Sequence, residues 1–270
     1  MSTAGAIVTL EQSLKIVLAA YAAQTIAVAF FDFQTGQRVE IDARERMHAA
    51  STMKLAVLLA AHRLKIDLDQ PIRVENKFKS LADGSEFSVD PRDDSDPWTY
   101  AQLGREVPLR VLLERMIVRS SNLATNLVMQ RLDAARITAV CRELGAKDIE
   151  VLRGVEDGKA YRKGLNNTTT AHDLAVLLEA SSAQPEIVEL LARQEFNEGI
   201  PAGLPAGTKV AHKTGDIDRI YHDAALVYPR GRKPYVLVVM TRGFEKLEQG
   251  AAAVREISRT VWKSVVEGPR

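Results

Sequence analysis

The chain has 270 residues, 46% of them hydrophobic, with 36 lysines and arginines against 35 aspartates and glutamates. That length and apolar content suffice for a sizeable core, as one large domain or two intergrown lobes. A net charge of +1, with both signs mixed along the sequence, excludes a basic nucleic-acid groove and a polybasic membrane patch.

In chain order, the spacing of apolar residues predicts a first helix over residues 10–23, capped by Thr9. Residues 26–33 are β-branched and aromatic, Gln34-Thr35-Gly36 is a turn, and residues 39–41 return, so a hairpin is expected. Residues 51–64 form a helix that is almost wholly apolar after Lys54, the pattern of a buried central helix rather than an amphipathic surface one. Residues 77–98, rich in Asp, Ser and Pro, read as a long surface excursion. Helices are expected over 109–118, 123–132, 134–144 and 170–180, strands over 208–212, 224–228 and 235–241, and a closing helix over 246–265. No internal repeat or low-complexity tract interrupts this order.

The expected architecture is therefore α+β. The hairpin and late strands join in one antiparallel sheet flanked by the terminal helices, and the middle of the chain forms a helical lobe. A single domain over 1–270 results, with an α/β lobe over about 9–45 and 205–266 and a helical lobe over about 46–204. A groove between the lobes is where a substrate is expected.

Cys141, the only cysteine, excludes an intrachain disulfide and a cysteine-based metal site, and reads as a small buried thiol. The five histidines show no metal-ligand spacing, so neither metal nor organic cofactor is expected. No apolar run reaches the length of a membrane span. Residues 1–6 lack the start of a secretory signal, so the chain is either cytoplasmic or, if a signal was removed, periplasmic or secreted. The expected partner is a small molecule, with no nucleic acid and the chain a monomer.

Three short strings carry the chemistry. In Ser51-Thr52-Met53-Lys54, a serine three residues before a lysine on a helix puts both side chains on one face. The lysine can take the serine's proton if burial or a nearby cation pulls its pKa down. Ser120-Ser121-Asn122 and Lys213-Thr214-Gly215 follow in order. Together these strings resemble the signature of class A β-lactamases and penicillin-binding proteins. Asn126 after the second string, Leu204-Pro205-Ala206-Gly207 before the third, and Asn167-Thr168-Thr169-Thr170 after the middle loop extend the resemblance from about residue 9 to residue 266.

The resemblance implies a serine acyl-enzyme hydrolase that opens β-lactam rings. Ser51 would be the nucleophile and Lys54 its base. Ser120 would shuttle a proton to the leaving nitrogen; capping the following helix is compatible with that role. Asn122 would hold a substrate amide, Lys213 would bring positive charge to Ser120 and to a substrate carboxylate, and Thr214 would add a hydroxyl. Gly215 lets the strand approach the ligand. The backbone N–H groups of Ser51 and Asp216 would form the oxyanion hole. Arg219 and His222 are candidates to assist with the carboxylate, or plain strand residues.

Two departures bear on turnover. The family's R-x-E-x-x-L-N string, whose glutamate activates the deacylating water, is not present as such. Glu156, in Arg153-Gly154-Val155-Glu156-Asp157-Gly158, is the nearest candidate for that base; otherwise Glu156 and Asp157 are turn residues. Ser121 stands where many β-lactamases carry aspartate, which tilts toward the peptidases. The alternatives are a D-alanyl-D-alanine carboxypeptidase or penicillin-binding protein acylated without fast turnover, a serine esterase or amidase on the same scaffold, and a noncatalytic binding protein that kept the pocket.

Overall fold

The computed structural model describes residues 9–21 and 24–268. The β-branched runs pair into one antiparallel sheet of β1 (Thr25–Asp32), β2 (Arg38–Ile41), β3 (Lys209–Ile217), β4 (Ile220–Tyr228) and β5 (Tyr235–Arg242). The spatial order is β2-β1-β5-β4-β3, which leaves β3 at an edge. The helices are α1 (Leu10–Ala19), α2 (Met53–Arg63), α3 (Leu109–Val118), α4 (Asn122–Leu132), α5 (Ala134–Glu143), α6 (Ala171–Ser181), α7 (Pro185–Leu191) and α8 (Leu247–Trp262).

Period-2 alternation gives the sheet two buried faces. Val28, Phe30, Leu237, Val239 and Ala225 pack against Leu10 and Leu14 of α1 and Val254 and Ile257 of α8. Ala27, Ala29, Val236, Val238 and Leu226 face the helical core, which includes Leu55, Leu58, Leu112 and Leu174. Both faces being covered, the central strands β1 and β5 are near-continuous apolar runs. Helix α2 packs against α3, α4, α5 and α6, and every residue from Met53 to Ala61 is buried, Lys54 included. Its lack of a polar face follows from that surround.

Several expectations are adjusted. The first helix ends at Ala19, and the expected residues 22 and 23 lie outside the described residues, as do residues 1–6. Strand β3 runs on to Ile217, so Lys213-Thr214-Gly215 lies inside a strand; residues 213–215 are buried and stay paired with β4. Helix α7 was not expected; Pro185 at its first turn starts it. The excursion at 77–98 carries local structure of its own. Phe78–Lys79 pairs with Glu86–Phe87, Asn76 holds the N–H and carbonyl of Val89 at 2.8 and 2.9 Å, and Pro97–Tyr100 forms a helical turn. The closing helix ends at Trp262, and residues 263–267 widen into a π-turn. Among the described residues no helix is long and apolar enough to cross a membrane.

The β1–β2 turn shows how a buried charge is accommodated. Asp32, 1% exposed, accepts from Gln34 N at 3.0 Å, Thr35 Oγ1 at 2.8 Å and both its oxygens from Arg232 at 2.7 and 2.6 Å. Asp32→Ala would leave the Arg232 guanidinium buried and unpaired, and is expected to cost about 3 kcal/mol of stability. Urea denaturation checks this; a loss below about 1 kcal/mol would show the pair to be dispensable.

Candidate active site

The cleft between sheet and helical lobe encloses about 400 Å³, lined by Ser51, Asn122, Glu156 and Asp216 among others. Ser51 sits on a single 3₁₀ turn, Ala50–Thr52, that leads into α2. Ala50 adopts a left-handed φ of 45°, and its N–H donates to His48 Nδ1 at 3.0 Å. Ala49 N–H donates to Asn167 O at 2.9 Å, which ties the turn to the helical lobe. The two residues that lead into Ser51, the nucleophile candidate, are thus both held by hydrogen bonds.

Lys54, one turn along, is fully buried. Its ammonium donates to Ser120 O at 2.7 Å, Ser120 Oγ at 3.2 Å and Asn122 Oδ1 at 2.9 Å. Burial lowers its pKa to about 8, against the opposing pull of Asp94, Asp216 and Glu156. Lys213, also fully buried, donates to Ser120 Oγ at 3.0 Å and to Thr214 O at 2.8 Å. Burial and then the Lys54 charge push its pKa well down. The Ser120 hydroxyl is therefore flanked by two lysine nitrogens, a geometry suited to relaying a proton. Ser120 itself is left-handed, with φ 54°.

Glu156 joins this network. Its Oε1 accepts from Asn122 Nδ2 at 2.8 Å, and its Oε2 from Asp90 N–H at 2.9 Å. Asn122 thus bridges Lys54 and Glu156 with the two ends of one amide. Burial raises the Glu156 pKa, outweighing those two hydrogen bonds. The segment carrying it is held firmly. Asn126 brackets Val155, accepting its N–H at 2.6 Å and donating to its carbonyl at 2.9 Å. A side chain at Gly154 would come within 2.9 Å of that asparagine, so the position needs glycine. Asn167 accepts from the N–H groups of Leu152 and Arg153 and donates to Arg153 O, closing the loop's neck. Asp157 caps the helical turn Gly158–Arg162 and accepts from Ser80 Oγ and Leu81 N–H, both at 2.7 Å.

On the sheet side, a Cβ at Gly215 would lie 2.7 Å from Thr52 N and 2.8 Å from Ser51 N. The strand therefore presses against the N–H groups of Ser51 and Thr52, and Asp216 next along lines the cleft. Thr214 is buried under Gln194, whose amide oxygen accepts Thr214 N–H at 3.0 Å while its nitrogen donates to Ile117 O at 3.2 Å.

Two expected site residues are not brought to the cleft. His222 pairs with Gly215 across the strands but is fully buried beneath the nucleophile turn. Its Nε2 meets His48 O at 3.0 Å and its Nδ1 accepts Thr241 N–H at 3.0 Å, and burial lowers its pKa to about 4. With both nitrogens engaged it pins the strand before Ser51 to the sheet and offers nothing to a carboxylate. Arg219 takes a left-handed φ of 60° in the β3–β4 turn, and its guanidinium donates to Gly243 O at 3.1 Å, outside the cleft lining. Conversely, Asp90, Asp94 and Gln194 touch the site and carry no motif. The acidic richness of the excursion was the only hint of the two aspartates.

Comparison with known proteins gives a consistent answer. The sequence pattern described as "Beta-lactamase enzyme family" matches residues 9–265. A β-lactamase of Streptomyces fradiae is 28% identical over 230 residues, covering 79% of this chain and 72% of that protein. The carbapenem-hydrolyzing β-lactamase KPC of Klebsiella oxytoca is 28% identical over 257 residues, covering 85% and 80%. The solved structure of PBP-A superposes with a TM-score of 0.81 at 24% identity, covering 96% of each chain, and so shares the fold.

The tightness of the β3 contact is testable. Gly215→Ala places a methyl group against two backbone nitrogens and should push the strand off the nucleophile turn. A misplacement of that kind is expected to slow acylation of Ser51 by an activated ester about 10²-fold. Labelling at the wild-type rate would show that the strand yields without consequence.

Proposed function

Because the chain belongs to the β-lactamase enzyme family, we propose that it is a serine β-lactamase working through an acyl-enzyme on Ser51. The observation that carries this reading is the chain of contacts Lys54–Asn122–Glu156. It brings the residues read here as acylation base and hydrolysis base onto one bridging amide at the cleft.

In the proposed sequence, neutral Lys54 accepts the Ser51 hydroxyl proton as Ser51 Oγ attacks the lactam carbonyl carbon. The N–H groups of Ser51 and Asp216 receive the negative charge that develops on the carbonyl oxygen. The C–N bond then breaks. Ser120, hydrogen-bonded to both Lys54 and Lys213, gives its proton to the leaving nitrogen and regains one from Lys54. Ser51 is now an ester. Glu156 as carboxylate takes a proton from water, the hydroxyl adds to the acyl carbon, the ester bond breaks, and Ser51 regains a proton. A Glu156 pKa raised by burial suits a group that must both accept and release that proton. The names of the relatives support a β-lactam as substrate. A mutant of PBP-A, a protein of the same fold, has been solved as an acyl-enzyme complex with penicillin G.

Glu156→Gln should leave acylation by penicillin intact and slow release of penicilloic acid by about 10²–10⁴-fold. Wild-type turnover in that variant would move the hydrolysis base elsewhere. Ser51→Ala should abolish covalent labelling; retained labelling would sink the nucleophile assignment.

The Lys54 pKa sets a pH dependence. Only the neutral amine accepts the serine's proton, and its fraction grows as pH rises through about 8. The acylation rate should therefore climb between about pH 6 and pH 9. A profile flat across that window would contradict Lys54 as the base.

A further inference from the structure

We propose that Asp94 supplies, from a separate segment of the chain, the aspartate that the second motif lacks, and so acts as a positioning residue for Ser120 and Asn122. The proposal rests on the reading of Ser51 as an acylated nucleophile.

The motif reads Ser120-Ser121-Asn122, where the family pattern is S-D-N. Ser121 is the N-cap of α4, and its short side chain accepts one N–H, that of Ala124, at 3.2 Å. The first two N–H groups of the helix, those of Asn122 and Leu123, remain. Both donate to Asp94 Oδ2 at 2.9 Å, with Ser121 Oγ beside them at 3.3 Å and Tyr100 OH at 3.2 Å. The carboxylate missing from position 121 is thus present, brought in from residue 94. A negative charge at a helix N-terminus is favourable in its own right.

What this holds in place is the reacting geometry. Asn122 has its backbone N–H on Asp94 and its side chain between Lys54 and Glu156. Ser120 lies just outside the helix in a left-handed conformation, so the helix itself does not fix it. The loop around Asp94 is anchored from several directions. Arg119 donates to Ser95 O at 2.9 Å, Ser95 Oγ donates back to Arg119 O, and Arg115 pairs with the buried Asp96 at 3.4 Å. The same loop gives Asp90 N–H to Glu156. One surface segment therefore holds both the second motif and the hydrolysis base.

Asp94 also acts on Lys54 through its charge. The charged groups acting on Lys54 are Asp94, Asp216 and Glu156, with Lys213 opposite in sign nearby. Among the carboxylates Asp94 acts most strongly to keep Lys54 protonated. Removing its charge lowers the Lys54 pKa further and moves the acidic limb of the acylation profile to lower pH.

The test measures the rate of Ser51 acylation by penicillin G, by quenched-flow intact-mass spectrometry across pH. It compares the wild type, Asp94→Ala, Asp94→Asn and the double variant Asp94→Ala/Ser121→Asp. Acylation should slow about 10–100-fold in Asp94→Ala, on the scale of a displaced reacting group. The double variant should recover most of that loss, since it restores a carboxylate at the helix start. Asp94→Asn should show its acidic limb at lower pH than the wild type. Wild-type acylation by Asp94→Ala overturns the proposal, as does a folded double variant that recovers nothing. If Asp94→Ala does not fold, Asp94→Asn decides, and acylation at the wild-type rate on the plateau of its pH profile overturns the proposal. Failure of the wild type itself to acylate would defeat the acyl-enzyme reading, a result visible before any variant is made.

Discussion

A buried ammonium is the constraint on which the site depends. Taking Lys54 out of water is costly unless every proton finds an acceptor. The three acceptors are Ser120 O, Ser120 Oγ and Asn122 Oδ1, all from the short stretch that starts α4. Satisfying the lysine therefore fixes α4 against α2 and sets the second motif one side-chain length from the nucleophile turn. The same burial lowers the Lys54 pKa to about 8, so one physical fact both assembles the site and suits Lys54 to the role of base proposed above. Lys213 adds a second buried cation on Ser120, and the repulsion between the two ammonium groups lowers the Lys213 pKa further.

Three of the chain's left-handed non-glycine residues lie in this network. Ala50, Ser120 and Glu156 are non-glycine residues with φ of 45°, 54° and 63°, each beside or within a working group. Such conformations cost about 1–3 kcal/mol apiece and persist where surrounding contacts over-determine them. Here His48 Nδ1 holds Ala50, Lys54 holds Ser120, and Asn122 with Asp90 holds Glu156. Each side chain is thereby aimed before substrate arrives, which is where the rate advantage of a preorganised site originates.

The motifs were legible because each is local: residues one turn apart on a helix, or consecutive on a strand, come to the cleft together. The apolar surround of Lys54 also told correctly that its helix is central. Asp94 and Gln194 were not legible, since they reach the site from segments remote in sequence and a lone aspartate or glutamine carries no spacing signal. His222 shows the reverse limit. It follows the third motif closely, but the antiparallel register places it one strand in from the edge and under the turn before Ser51. Helix α7 was missed because seven residues hold too few periods to stand out.

The most direct test of the account is time-resolved intact-mass spectrometry of the wild-type protein mixed with penicillin G, with penicilloic acid followed in parallel. A Lys54–Asn122–Glu156 relay predicts an adduct on Ser51 that forms, decays and releases product through many turnovers. An adduct that persists without product would contradict the hydrolysis role of Glu156 and mark a penicillin-binding protein. No adduct at all, with no product, would contradict the acyl-enzyme reading itself.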